Sequence, residues 1–254
     1  MSQIAVETRV LRMMNRANRD YRLINEGDRI LVCLSGGKDS YALMWGLLRM
    51  QAAAPFQFDL VAFHLDQGQP NYDPGPMVRH MQRLKEEHNI ESELEHQDTY
   101  TRVVEITEEG KSYCSLCSRF RRAISYKAAT RHGCNKVALG HHRDDLIETL
   151  LLNLFYSGQL KGMPPRLRSD ADTHELIRPL AYVRETDLVS LSEYHQYEIM
   201  PCTLCGSLQS QRQFIKGLLD QLSQDNPHLK GNLLNAMRNI QPTQLMDPKL
   251  NPLY

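Results

Sequence analysis

Residues 30–43 read ILVCLSGGKDSYAL. Arg29–Leu34 is a short apolar run rich in branched side chains, which reads as a buried strand. Ser35, Gly36, Gly37, Lys38, Asp39 and Ser40 follow, and then a helical stretch, SYALMWGLLRM. A glycine-rich turn between strand and helix aims backbone N–H groups at an anion, and the helix N-terminus adds partial positive charge. Gly36 and Gly37 permit close approach and positive φ. Lys38 supplies a cation, and Ser35 and Ser40 supply hydroxyls. The turn is neither G-x-x-x-x-G-K-[ST] nor G-x-G-x-x-G. It is shorter, and an aspartate follows the lysine. It reads as a phosphate cradle, but not one for γ-phosphate transfer.

Outward from this turn the pattern alternates. Residues 58–66 (FDLVAFHLD) read as a second strand, 74–89 as a helix led by prolines, and 90–96 as a weaker strand. Ser115–Gly133 reads as a basic helix stopped by Gly133. NKVALGHH gives a fourth strand, residues 144–158 a helix, and 175–183 another strand. Residues 157–174 read as a loop. After Arg184 the pattern is helical to Ile240, broken by MPCTLCGS. The order predicts an α/β fold, a Rossmann-like parallel sheet with helices on both faces, flanked by an N-terminal helix and a helical C-terminal extension. No sharp boundary appears. The chain divides into a basic helix (1–25), a catalytic core holding the first cysteine pair (26–183) and an extension holding the second (184–254).

The chain has 254 residues, 41% hydrophobic and 24% charged, with a net charge of zero. These values describe an ordinary folded protein and do not by themselves announce a nucleic-acid partner. No apolar run approaches membrane-spanning length, and no signal-peptide pattern opens the chain, so the cytoplasm is expected. Residues 4–23 read as a helix with Arg9, Arg12, Arg16 and Arg19 on one face. That stripe is either a solvated face or a set of phosphate contacts.

Six cysteines include two Cys-x-x-Cys pairs, Cys114/Cys117 and Cys202/Cys205. Such pairs in a reducing compartment point to metal or redox chemistry. The inner cysteines lie 84 residues apart, so any shared site forms through the tertiary fold. Zinc, an iron–sulfur cluster and a redox disulfide all remain open on spacing alone. Cys33 and Cys134 lack partners at ligand spacing and read as small buried hydrophobes. Arg119, Arg121 and Arg122 follow the first pair, on or beside one helical face.

SGGKDS after a buried strand resembles the PP-loop of the ATP pyrophosphatase superfamily. AFHLDQG, with His64 and Asp66, and LGHHRDDLIETLL, with Gly140, Asp144 and Asp145, resemble further superfamily segments. All sit at carboxyl ends of strands, where open α/β sheets bind ligands. Asp39, Asp144 and Asp145 are the carboxylates suited to Mg²⁺, which prefers oxygen ligands. For Asp144 and Asp145 a helix N-cap is the rival reading. Together with CSLCSRFRR and PCTLCGS, the set is similar to the tRNA 2-thiocytidine synthetase family over about residues 28–241.

That resemblance implies ATP cleavage between the α- and β-phosphates and adenylation of a cytidine in the tRNA anticodon loop, at position 32. It implies a [4Fe–4S] cluster on Cys114, Cys117 and Cys205 with one iron left open for sulfide; Cys202 is read as a non-ligand. Ser35 to Ser40, His64, Asp66, Gly140 and Asp144 would contact ATP and Mg²⁺. Asp39, Asp145, Arg121 and Cys205 would serve catalysis, Arg121 by steadying pyrophosphate or a tRNA phosphate. A cysteine desulfurase as sulfur source and a homodimer are further implications. A uridine-thiolating relative is one alternative, but such relatives usually carry extra cysteine clusters near their termini; a nucleotide-binding regulator stapled by zinc is another.

Overall fold

The structure, a computed structural model, describes residues 2–108, 113–169, 173–200 and 211–250. Cys202 and Cys205 therefore lie outside the described residues. Two compact units emerge. One comprises residues 1–142 and 164–208, the other 143–163 and 209–254.

The first unit is built on six strands: β1 (Arg29–Cys33), β2 (Asp59–Asp66), β3 (Glu91–His96), β4 (Lys136–Ala138), β5 (Arg166–Arg168) and β6 (Glu175–Ile177). Their order is β3-β2-β1-β4-β6-β5. All neighbours pair in parallel except β5 and β6, which are antiparallel. The sheet is thus mostly parallel rather than wholly so. β5 arises inside the stretch expected to be a loop. The strand expected over 175–183 ends at Ile177, because Pro179 has no N–H to donate and the chain turns there, Ala181 N–H to Arg178 O (3.0 Å) and Val183 N–H to Leu180 O (2.8 Å).

Strand alternation separates two faces. Leu31, Val61, Phe63, Val137 and Leu176 form one core with Ile124, Ala128 and Ala129 of α5 (Cys114–Arg131). Ile30, Val32, Leu60 and Ala62 point the other way and are buried as well. There α2 (Lys38–Ala53) packs on β1, and α1 (Gln3–Tyr21) and α7 (Glu185–His195) pack on α2 and on each other. α1 docks through Val6, Val10, Met14 and Ala17, spaced as one helical stripe. Its arginine stripe is partly committed: Arg9 pairs with Asp187 (2.9 Å), and Arg16 lies over the Tyr182 ring. α3 (Gly75–His88) joins β2 to β3. α4 (Tyr100–Ile106) is a short helix not expected from the sequence.

At the amino ends of the strands, Lys136 donates to Asp28 Oδ2 (2.6 Å) and to Leu23 O (2.8 Å). Asn135 donates to Asp28 Oδ1 (2.8 Å), and the Asn25 N–H to Oδ2 (2.6 Å). Lys136 and Asp28 are both buried.

The second unit joins α6 (Arg143–Ser157), α8 (Gln211–Asp225) and α9 (Leu229–Ala236). Ile147 and Leu151 of α6 pack with Ile215 and Leu219 of α8. Packing therefore groups α6 with α8 and α9, and α7 with α1 and α2.

Candidate active site

β1 ends in the phosphate turn. Gly36 adopts φ +80°, open to glycine at little cost. A Cβ there would meet Met200 Sδ at 2.8 Å, so a side chain has no room. Gly37 caps α2, and its carbonyl accepts from Ser40 Oγ (2.8 Å) and Ser40 N (3.0 Å). Lys38 Nζ stands 3.2 Å from Asp39 Oδ2 and 3.6 Å from Glu185 Oε1. These groups form one turn with its cation, hydroxyls and first carboxylate in place.

The loop after β4 reaches the same turn. A Cβ on Gly140 would meet the Asp39 carbonyl group and Ser40 N at 3.3 Å. Glycine lets the two loops touch. His142 Nε2 lies 3.9 Å from Asp39 Oδ1. Gly140 and Asp39, read separately from two motifs, are thus neighbours in space.

The β2 end supplies His64 and Asp66. His64 is buried, with Nδ1 2.7 Å from Leu34 O and Nε2 paired with the Tyr72 hydroxyl. A carbonyl only accepts, so Nδ1 carries the proton and Nε2 accepts from Tyr72. Burial lowers the His64 pKa, holding the ring neutral in that tautomer. Both nitrogens are spent inside the protein, and the residue orients Leu34, just ahead of the phosphate turn. Asp66 accepts from the Gly68 N–H (2.9 Å) and pairs with His96 Nδ1 (2.9 Å).

Cys114 is the first residue of α5, and Cys117 lies three residues on. Cys117 is buried, and its thiol donates to Gln67 Oε1 (3.0 Å), directly after β2. Cys117 is therefore brought to the carboxyl ends of the strands, as the phosphate turn is. Arg121 is exposed one turn further and close enough to act electrostatically on Cys33. Burial pushes the Cys33 and Cys134 thiols up to about 11, so both stay protonated, in keeping with their reading as small hydrophobes.

In the second unit, Asp144 and Asp145 occupy the first turn of α6, where the helix dipole favours negative charge. They lie inside the helix rather than at its N-cap position. Asp144 is buried, 3.1 Å from Arg143 Nη2 and 3.4 Å from Lys230 Nζ. Asp145 lies 3.5 Å from Arg212 Nη1.

Three residues escape the sequence reading. Gln67 holds the Cys117 thiol, and Met200 covers Gly36. Arg178 follows β6, buried, donating to Pro164 O (2.6 Å) with no carboxylate partner among the described residues. Burial first, and Arg122 nearby, lower its pKa. Gln67 does sit inside AFHLDQG, and Met200 two residues before Cys202, so their motifs carry a weak signal.

A PP-loop domain model matches residues 3–201. A tRNA-cytidine(32) 2-sulfurtransferase of Anaeromyxobacter sp. (strain Fw109-5) is 48% identical over 98% of this chain and 81% of its own. One of Coxiella burnetii (strain CbuG_Q212) is 47% identical over 98% and 96%. Among solved structures, the U34-tRNA thiolase NcsA from Methanococcus maripaludis with its [4Fe-4S] cluster aligns with a TM-score of 0.73 at 20% identity, covering 94% of this chain and 81% of that one. That likeness concerns the fold. On the domain match and these identities, the chain belongs to the tRNA-cytidine(32) 2-sulfurtransferase family of PP-loop proteins.

Proposed function

We propose that this protein uses ATP to replace the O2 oxygen of cytidine 32 in a tRNA anticodon loop with sulfur. One observation carries the reading. Cys117 and the phosphate turn share the carboxyl edge of one sheet, Cys117 through Gln67 after β2 and the turn directly after β1. An activation site beside a thiol site is what a two-step thiolation needs.

Backbone N–H groups of residues 35–40 bind the ATP phosphates, aided by Lys38 and the α2 N-terminus. Asp39 supplies a hard oxygen donor suited to Mg²⁺. The cytidine is unpaired in the loop and can splay toward the strand ends. Its O2 attacks the α-phosphorus, and the bond to pyrophosphate breaks. Arg121, and the unmatched charge of Arg178, steady anionic oxygens there. Adenylation makes that oxygen part of a good leaving group, so sulfur attack at C2 releases AMP.

The donor set fits an iron–sulfur cluster: Cys117 is a buried thiol and Cys114 shares its helix three residues earlier. Cys114, Cys117 and Cys205 would hold it, and it supplies the transferred sulfur when bound. Arg12 and Arg19 of the 1–25 helix meet the tRNA backbone. A cysteine desulfurase reloads the sulfur, two copies of the chain form the working unit, and the reaction runs in the cytoplasm. No described helix is long and apolar enough to cross a membrane.

The test is anaerobic purification followed by reaction with ATP, Mg²⁺, sulfide and unmodified tRNA. A brown protein with about four irons, forming 2-thiocytidine, AMP and pyrophosphate, is expected. A colourless zinc protein that leaves ATP intact defeats the reading.

A further inference from the structure

Tyr197, Glu198 and Met200, just before the second cysteine pair in sequence, are each tied down. The Tyr197 ring stacks on Tyr41, centroids 5.0 Å apart and planes 16° apart. The Tyr41 hydroxyl donates to Glu198 O (3.2 Å), and the Glu198 carboxylate pairs with Arg79. The Met200 N–H donates to Gly36 O (2.9 Å), while its side chain covers Gly36. Tyr41 is the residue after SGGKDS. His195 stacks on Tyr197 (5.4 Å, 9°), and His80 meets the edge of Tyr41 (4.7 Å).

The bond to Gly36 has a geometric consequence. The Gly36 carbonyl and the Gly37 N–H belong to one planar peptide group and point in opposite directions. A donor that fixes the carbonyl fixes the N–H too. Among the described residues that N–H makes only a long bond, 3.4 Å to Ser35 Oγ, and it is one of the donors the turn aims at an anion. Met200 thus sets the aim of a phosphate donor.

We propose that Tyr41 and Tyr197 are positioning residues of a strap, Tyr197–Met200, that sets the grip of the phosphate turn on ATP. The inference rests on the functional reading above for what the turn binds. The coupling is reciprocal: whatever orders the strap favours ATP, and ATP orders the strap. Ring contact carries the strap rather than the Tyr197 hydroxyl, which is buried without a hydrogen-bond partner among the described residues.

Hydrogen exchange on the full chain, with and without ATP and Mg²⁺, tests this without a cluster or turnover. Peptides spanning residues 193–200 should slow by roughly fivefold or more on ATP binding, at the low end of ordinary site-to-site coupling. Tyr197→Phe should keep that response, and Tyr197→Ala should lose it while ATP still binds by calorimetry. Should Tyr197→Ala fail to fold, Tyr41→Phe, which deletes only the bond to Glu198 O, should show a reduced response. ATP binding that leaves 193–200 unchanged in the natural protein, or a full response in Tyr197→Ala or Tyr41→Phe, overturns the strap. A chain that binds no ATP overturns the functional reading itself, and the coupling with it.

Discussion

The two ends of the same strands differ in how their polar groups are spent. At the amino ends of β1 and β4, Asp28, Asn135 and Lys136 satisfy one another at 2.6 to 2.8 Å, and Arg29 adds ion pairs to Asp59 and Glu91. At the carboxyl ends, ion pairs such as Lys38–Asp39 and His96–Asp66 stand beside tight backbone turns, with Gly36 at positive φ, Gly140 pressed on Asp39, and Arg178 buried with no carboxylate partner among the described residues. Parallel strands all bring their carboxyl ends to one edge, and helices that follow them begin there with positive dipole ends. The paired end serves stability. The opposite end keeps donors and thiols for a ligand, and stability bears that cost.

The sharpest test of this contrast is to remove chemistry without removing stability. Cys117→Ala deletes a thiol at the carboxyl edge with little loss of volume. Thiolation should fall on the order of 10⁴-fold or more, as for a group whose loss leaves the reaction no route. The thermal midpoint and ATP affinity should change little. A variant that retained thiolation would remove Cys117 from the sulfur site.

The converse change belongs at the amino end. Lys136→Met leaves Asp28 charged, buried and short of its cation, which costs about 3–5 kcal/mol. Chemical denaturation should show that loss, whereas turnover per folded molecule should hold. Adding Asp28→Asn removes the stranded charge while leaving an oxygen for Asn25, and should restore part of the loss. If turnover fell with stability unchanged, the division between the two ends would be wrong.

What is legible in the sequence follows the same division between local and distant causes. The β1–turn–α2 unit is plain because apolar run, glycines and helical pattern are contiguous. SGGKDS and Gly140 are legible as motifs, although only the fold makes them neighbours. β5 is not legible: Arg166, Leu167 and Arg168 are all exposed, and the strand exists through its pairing with β6. α4 buries only Val103 and leaves too weak a stripe to read. Gln67 and Met200 act through partners far along the chain, so the motifs beside them mark them only weakly.

The smallest expected effect blurs the contrast usefully, because the aromatic ladder beside the phosphate turn also carries some stability. His80 packs edge-on against Tyr41, and its Nε2 is buried without a hydrogen-bond partner among the described residues. Burial first, and Arg83 nearby, push its pKa from 6.5 down to about 4. The folded ring is therefore neutral at pH values where the unfolded chain binds a proton. Its contribution is fully present above about pH 6.5 and fades as pH falls toward about 4. Between about pH 7 and about pH 5 the loss should be roughly 1–2 kcal/mol. His80→Phe keeps the edge contact and cannot titrate, so its denaturation midpoint should fall less over that interval. The other acid-sensitive groups, His64 and Glu93 among them, are common to both proteins, and the difference isolates His80. Equal pH slopes would show that protonating this ring does not strain the ladder, leaving Tyr41 and Tyr197 to hold it by stacking alone.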